Sequence, residues 1–255
     1  EYAEFDGTPY QPVLDQWGGR HDWYYSDAYR TIANIALDYE WFAKDEWESE
    51  NVDAIMNVWF GGSETASAIC DVLYGDANPS GKLTVSMPQA TGQEPLYYNH
   101  LPTGRPVAEN TKTFAKYASN YLDVRNDALY PFGYGLSYTT YSYSDIHLSS
   151  NQMSRDGSIK ATVTVTNTGT RDGDEIVQLY IHDKVASISR PVRELKGFKR
   201  IHLDAGESKD VSFDITPDLL KFYDANLKEV LEPGQFDLMI GASSINNKTT
   251  LFTVK

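Results

Sequence analysis

The chain has 255 residues, 41% hydrophobic and 23% charged, enough for two ordinary domains that each bury a core. Acidic residues outnumber basic ones 36 to 22, for a formal net charge of −14. That balance argues against nucleic acid and anionic membrane as partners, because phosphate binding needs clustered Lys and Arg, and it suits a neutral ligand such as a sugar. No run approaches the roughly 18 apolar residues of a membrane span. The chain opens with Glu1 rather than Met and shows no basic-then-apolar leader, which suggests a processed protein or a fragment.

The first tract, to about residue 50, holds Trp17, Trp23, Trp41 and Trp47, four of the five tryptophans. Ile32, Ile35, Ala36 and Tyr39 recur at three- and four-residue spacing and predict a helical patch over 29–42. The acids Asp38, Glu40, Asp45, Glu46, Glu48 and Glu50 follow no motif and read as a solvated face. Val52, Ala54, Ile55, Met56 and Val58 then form a short apolar run, as a strand covered on both faces would. Gly61-Gly62 ends it, and Ser63 is the expected N-cap of a helix with Glu64 in its first turn. Ala66, Ile69, Val72 and Leu73 mark one face of that helix, and Gly75 can supply a left-handed C-cap. Cys70, the sole cysteine, excludes an intrachain disulfide and is expected to be a buried small hydrophobe. After the turn chemistry of Asp76 to Gly81, Leu83-Thr-Val85 reads as a second strand. Together these predict a βαβ unit, one piece of a parallel sheet.

From residue 89 to 137 no apolar period holds. Tyr97, Tyr98, Phe114, Tyr117, Tyr121, Tyr130, Phe132 and Tyr134 are too many aromatics for a disordered linker, so an ordered strap is expected. Its second half, 129–138, should dock on the C-terminal domain, and its first half, around Tyr98 and His100, should be more mobile. From Tyr138 the period becomes two. Ile159, Ala161, Val163 and Val165 form one alternating set. Val177, Leu179 and Ile181, then Val211, Phe213 and Ile215, then Phe236, Leu238 and Ile240 form three more. Gly157, Gly169, Gly173, Gly206 and Gly234 mark turns between them. The pattern predicts an all-β, immunoglobulin-like sandwich of about seven strands. The Cys and Trp of antibody domains are missing, which favours the fibronectin type III-like variant.

Several motifs carry a resemblance. Val52-Asp-Ala-Ile55 leads through Gly61-Gly62 to Asp71-Val-Leu-Tyr-Gly-Asp76, Asn78-Pro-Ser-Gly-Lys-Leu83 and Met87-Pro88. This order resembles the last βαβ unit of the α/β-sandwich domain of family 3 glycoside hydrolases. Pro95-Leu-Tyr-Tyr-Asn-His100 with Thr103-Gly-Arg-Pro106 resembles the next loop in bacterial β-glucosidases of that family. Leu129-Tyr-Pro-Phe-Gly-Tyr-Gly-Leu-Ser-Tyr138 and Ser189-Arg-Pro-Val-Arg193 with Leu195-Lys-Gly-Phe198 resemble the entry to, and the interior of, its fibronectin-like domain. The resemblance covers residues 47 to 255 and implies four parts. These are an unmatched segment (1–46), a partial α/β-sandwich domain (47–88), an extended strap (89–137) and a fibronectin type III-like domain (138–255). Residues 1–46 read equally as a divergent partner segment, an unrelated fusion or a frame-shifted stretch.

The family's nucleophile lies on a barrel that precedes these domains, and about 250 residues of barrel do not fit beside them here. The resemblance therefore implies a scaffold and the outer wall of a substrate site, with no catalytic residue in this chain. It implies no cofactor, a β-glucoside or short oligosaccharide as substrate, and a barrel domain or second chain as partner. A periplasmic or extracellular bacterial setting is also implied by it. Tyr98, Asn99, His100 and Arg105 are the candidate substrate-binding residues, since that loop can face a sugar pocket.

Other chemistry is poorly supported. The five histidines lack metal-ligand spacing, and no G-x-S-x-G elbow is present. Gly61-Gly62 at a helix start lacks the lysine of a phosphate loop. Asn247-Lys-Thr249 is an N-glycosylation sequon by pattern, for which chance is the better account. Two further readings stay open: a non-catalytic carbohydrate-binding or interaction module, and a small stand-alone hydrolase using the N-terminal residues.

Overall fold

The structure, a computed structural model, describes residues 55–59, 61–107 and 116–255. The helical patch at 29–42 and the N-terminal acids lie outside the described residues.

Helix α1 (Thr65–Tyr74) forms where its apolar spacing places it, and Gly75 closes it at φ 81, donating to the Val72 carbonyl at 3.1 Å. Its N-cap is Glu64, one residue later than expected, and Ser63 makes no cap. The Thr65 hydroxyl instead turns back to the Gly62 carbonyl at 2.6 Å. None of the ten residues of α1 is buried, and Cys70 is exposed rather than buried. The two flanking segments are not ladder strands either. A parallel strand needs a neighbour, and the described residues supply none for 55–58. The segment after α1 finds an antiparallel one in the strap. Leu83 donates to Tyr134 at 2.7 Å, Gly133 donates back to Leu83 at 2.7 Å, and Met87 donates to Tyr130 at 2.8 Å.

The strap continues through a short 3₁₀ turn, Thr91–Gln93, whose Gln93 is 1% exposed. That side chain donates to the carbonyls of Arg125 and Asp127 and accepts from the amides of Gln89 and Ala90, so one amide pins two distant stretches.

The β-sandwich begins with three short strands, β1 (Tyr141–Tyr143), β2 (His147–Leu148) and β3 (Gln152–Met153). The long strands are β4 (Ile159–Asn167), β5 (Gly173–Asp183), β6 (Glu194–Leu203) and β7 (Ser208–Ile215). A one-turn helix α2 (Pro217–Leu220) and the small hairpin β8 (Phe222–Tyr223) with β9 (Glu229–Val230) lead to β10 (Gly234–Gly241) and β11 (Asn247–Val254). One sheet centres on β4, with β7 on one side and β1 and β2 on the other. The second runs β3-β11-β10-β5-β6, antiparallel except for the short β3–β11 pairing.

All four alternating sets turn inward. Ala161, Val163 and Val165 meet Val177, Leu179, Ile181, Phe213, Leu238 and Ile240 in one core. Phe252 of β11 stacks on Phe236 of β10 at 5.4 Å, both fully buried. Removing the side chain of such a ring costs about 3–5 kcal/mol in other cores.

Strand β5 departs from simple alternation: it is buried on both faces from Gln178 to Tyr180. Gln178 and Tyr180 point away from the core, where a two-sheet sandwich would meet water. The strap covers them. Glu175, on the inward face at the near end of β5, is 2% exposed. Its carboxylate takes the Lys82 ammonium at 3.1 Å and the Tyr143 hydroxyl at 2.8 Å.

Candidate functional site: a groove between the strap and the α1 segment

Outside the core, the strap packs across the outer face of β5. Phe132 presents its ring to Tyr98, stacked at 4.1 Å, and Tyr98 meets Tyr180 edge-on at 6.0 Å. Gly133 must follow Phe132 with φ +81, and a Cβ there would come within 2.9 Å of the Tyr180 hydroxyl, so only glycine fits without displacement. Gln178 donates to the carbonyls of Gly133 and Ala242, at 3.1 and 2.6 Å, and accepts from the Tyr180 hydroxyl. Desolvation pushes the Tyr180 phenol well above its ordinary value, so it stays a donor at any ordinary pH.

On the other side of this junction an open groove of about 790 Å³ runs between the loop 94–99 and the segments 84–88 and Trp59. Residues 97–99 alternate along its edge. Tyr97 and Asn99 are exposed, while Tyr98 between them is half-buried. The groove thus presents aromatic faces from Trp59 and Tyr97, an amide from Asn99 and a carboxylate from Glu94. Aromatic rings suit the C–H faces of a pyranose, while amides and carboxylates take its hydroxyls.

The four candidate residues separate. Tyr98 and Asn99 line the groove; His100 and Arg105 do not, although both are exposed on the same stretch. The Tyr98 hydroxyl accepts the Leu195 amide at 3.2 Å, and the His100 carbonyl accepts the Val192 amide at 3.0 Å. The His100 ring nitrogen Nδ1 lies 3.0 Å from the Leu101 carbonyl, and Arg105 reaches the Tyr117 carbonyl at 3.4 Å. The first half of the strap is therefore held to the sandwich as well as the second. Trp59, Glu94 and Phe132 were not singled out from sequence as groove residues. Trp59 closes the apolar run and Glu94 precedes Pro95, positions that carried the only available signal.

Among the described residues no group of three or more His, Cys, Asp or Glu side chains is arranged to hold a metal. The sequon asparagine is structurally engaged, since Asn247 donates to the Ser244 carbonyl at 2.9 Å.

The fold is a fibronectin-like β-sandwich preceded by a helical segment, with an aromatic strap clamped across its outer face. Comparison with known proteins gives that fold its family. Residues 37–138 match the glycosyl hydrolase family 3 C-terminal domain, and residues 175–244 match the fibronectin type III-like domain. The chain belongs to family 3 of the glycoside hydrolases, as their C-terminal portion.

It is 52% identical over 205 residues to a periplasmic β-glucosidase of Salmonella typhimurium, covering 80% of this chain and 26% of that protein. It is 43% identical over 211 residues to a putative β-xylosidase of Formosa agariphila, covering 81% and 26%. A β-glucosidase from Listeria innocua, solved with gluconolactone, superposes with a TM-score of 0.76 at 42% identity, over 82% of this chain and 29% of that one. The same enzyme has been solved with glucose, and a mutant of it with laminaribiose. The chain thus spans about a quarter of the length of these relatives.

Proposed function

We propose that this chain serves a β-glucosidase-type glycoside hydrolase acting on β-linked glucosides, as scaffold and as the outer wall of the substrate site. The carrying observation is the groove that presents Trp59, Tyr97, Asn99 and Glu94 together, in a chain 52% identical to a β-glucosidase along most of its length. Tyr98, Asn99, His100 and Arg105 then divide by task. Asn99 faces the sugar, Tyr98 sets the loop, and His100 and Arg105 lie outside the groove, where a barrel domain or a second chain would sit. The name of the Salmonella relative supports a periplasmic setting. No helix among the described residues is long and apolar enough to cross a membrane.

A retaining mechanism needs a nucleophile and an acid/base carboxyl about 5 Å apart. The family resemblance puts the nucleophile outside this chain, so binding and turnover should separate. Laminaribiose titrated into the labelled 255-residue chain should shift the Asn99 side-chain amide and the backbone of 97–99. A 4-nitrophenyl β-glucoside should be hydrolysed no faster than in buffer. Unperturbed groove resonances at saturating sugar, or turnover abolished by a point mutation in this chain, would overturn the proposal.

A further inference from the structure

We infer that the fibronectin-like sandwich is the positioning element for the groove loop, and that Tyr98 is the pin through which it acts. The inference deepens the reading of the groove as a sugar site and rests on it.

Loops are ordinarily the softest part of a structure, and a site carried on one loses precision unless rigid elements hold it. The loop 97–100 has little regular structure of its own; its internal backbone bond is the His100 amide to the Tyr97 carbonyl at 3.3 Å. Its order comes from the sandwich. The Tyr98 hydroxyl takes the amide of Leu195 at the start of β6, and Val192 in the loop before β6 donates to His100. The ring is sandwiched by Phe132 and Tyr180. Phe132 is itself fixed from behind, because its carbonyl accepts the Ser244 amide of the β10–β11 loop at 3.0 Å. Gln178 holds the next residue, Gly133, and the same β10–β11 loop through Ala242. Three separate parts of the sandwich therefore converge on one tyrosine.

The turn then transmits that fixation. Tyr97 and Asn99 flank Tyr98 in a turn closed by the His100 amide on the Tyr97 carbonyl, and all three line the groove, so a hold on Tyr98 fixes the directions of its two neighbours. Tyr98 is thus a positioning residue. Removing the Tyr98 hydroxyl leaves its ring and every other groove-lining side chain in place, but should let Tyr97 and Asn99 sample other directions.

The test uses the whole 255-residue chain and two variants. Gln178→Leu breaks the hold on Gly133 and Ala242 from the outer face of β5, and Tyr98→Phe keeps the stacked ring but removes the acceptor for Leu195. Two quantities are read: amide hydrogen exchange at 97–100, and laminaribiose affinity from the Asn99 side-chain signal. Tyr98→Phe should speed exchange at 97–100 and weaken laminaribiose about fivefold, the scale of one hydrogen bond, while β4 and β7 amides keep their protection. Gln178→Leu should do the same or more. If Gln178→Leu fails to fold, Tyr98→Phe alone decides. Unchanged exchange at 97–100 in Tyr98→Phe overturns the inference. So does faster exchange with unchanged laminaribiose affinity in a parent that binds. A parent that does not bind laminaribiose at all overturns the reading of the groove instead, and the exchange arm still decides whether the sandwich orders the loop.

Discussion

Two aspartates on β5 respond to the fold in opposite ways. Burial pushes the Asp183 carboxyl up, against the Val185 amide and Arg190, which pull it down, and its Oδ2 has no hydrogen-bond partner. The native state holds that proton more tightly than the unfolded chain, so the stability linked to it is fullest in acid and declines as pH rises through the folded value. For Asp174 burial also raises the pKa, but hydrogen bonds from Arg200 and His202 outweigh it and hold the carboxyl below its usual range. Its contribution is present above the unfolded carboxylate value and is lost as pH falls through the folded one. Asp183→Asn should therefore raise the urea midpoint at pH 7, with the advantage closing as pH is lowered through the carboxylate range. Asp174→Asn should lower the midpoint at pH 7, with the deficit closing over the same range. Urea titrations at several pH values would show both; parallel pH profiles for parent and variants would contradict them.

At the scale of elements, the sandwich strands were legible because one face of each is dry. The alternation of Ile159 to Val165 becomes β4 residue for residue. Strand β6 carried no such pattern, because as an edge strand it is exposed at Phe198 to Arg200 and at His202, half-buried at Glu194 to Gly197 and Ile201, and buried at Leu203 alone. Strand β11 opens with Asn247-Lys-Thr-Thr250 and alternates only at Phe252 and Val254, so its first half has no apolar period to read. In the groove, Tyr98 and Asn99 were reachable from the Tyr-Tyr-Asn motif. Trp59 and Phe132 come from positions 73 residues apart, and only the fold brings them together. Gly133 is the element-scale test of how the strap docks. A side chain there would need a positive φ and would crowd Gln178 and Tyr180. Gly133→Ala should cost about 2 kcal/mol or more, combining the left-handed penalty with overpacking. A midpoint within error of the parent would show that the strap can lift without loss.

At the scale of the whole molecule, the sandwich reaches beyond residue 138 for part of its own stability. Glu175 is buried at the end of its core, and the charge that neutralises it comes from Lys82, 93 residues earlier. Removing one partner of a buried pair leaves an uncompensated charge, typically at about 3 kcal/mol. A chain beginning at residue 77 should therefore unfold at a distinctly higher urea concentration than one beginning at 138, and both should unfold in one step. Glu175→Gln, which keeps an acceptor for Tyr143, should narrow the gap by stabilising the shorter chain. Equal midpoints for the two lengths would place the whole stability of the sandwich within 138–255.

Asn78 gives the junction a further property. Its side-chain oxygen accepts from the Ser137 hydroxyl at 2.8 Å and the Tyr138 amide at 2.9 Å, while its nitrogen donates to the Asp172 carbonyl at 2.8 Å. Nearby, Arg171 reaches the Gly75 carbonyl and Tyr138 the Val72 carbonyl, so α1 is tied at its last turn to two different segments. Ties at Val72, Gly75 and Asn78 to two segments restrain bending and torsion together. In solution α1 and the sandwich should share one rotational diffusion tensor, and an orientation fixed at Asn78 is handed on unchanged to whatever body α1 is built against.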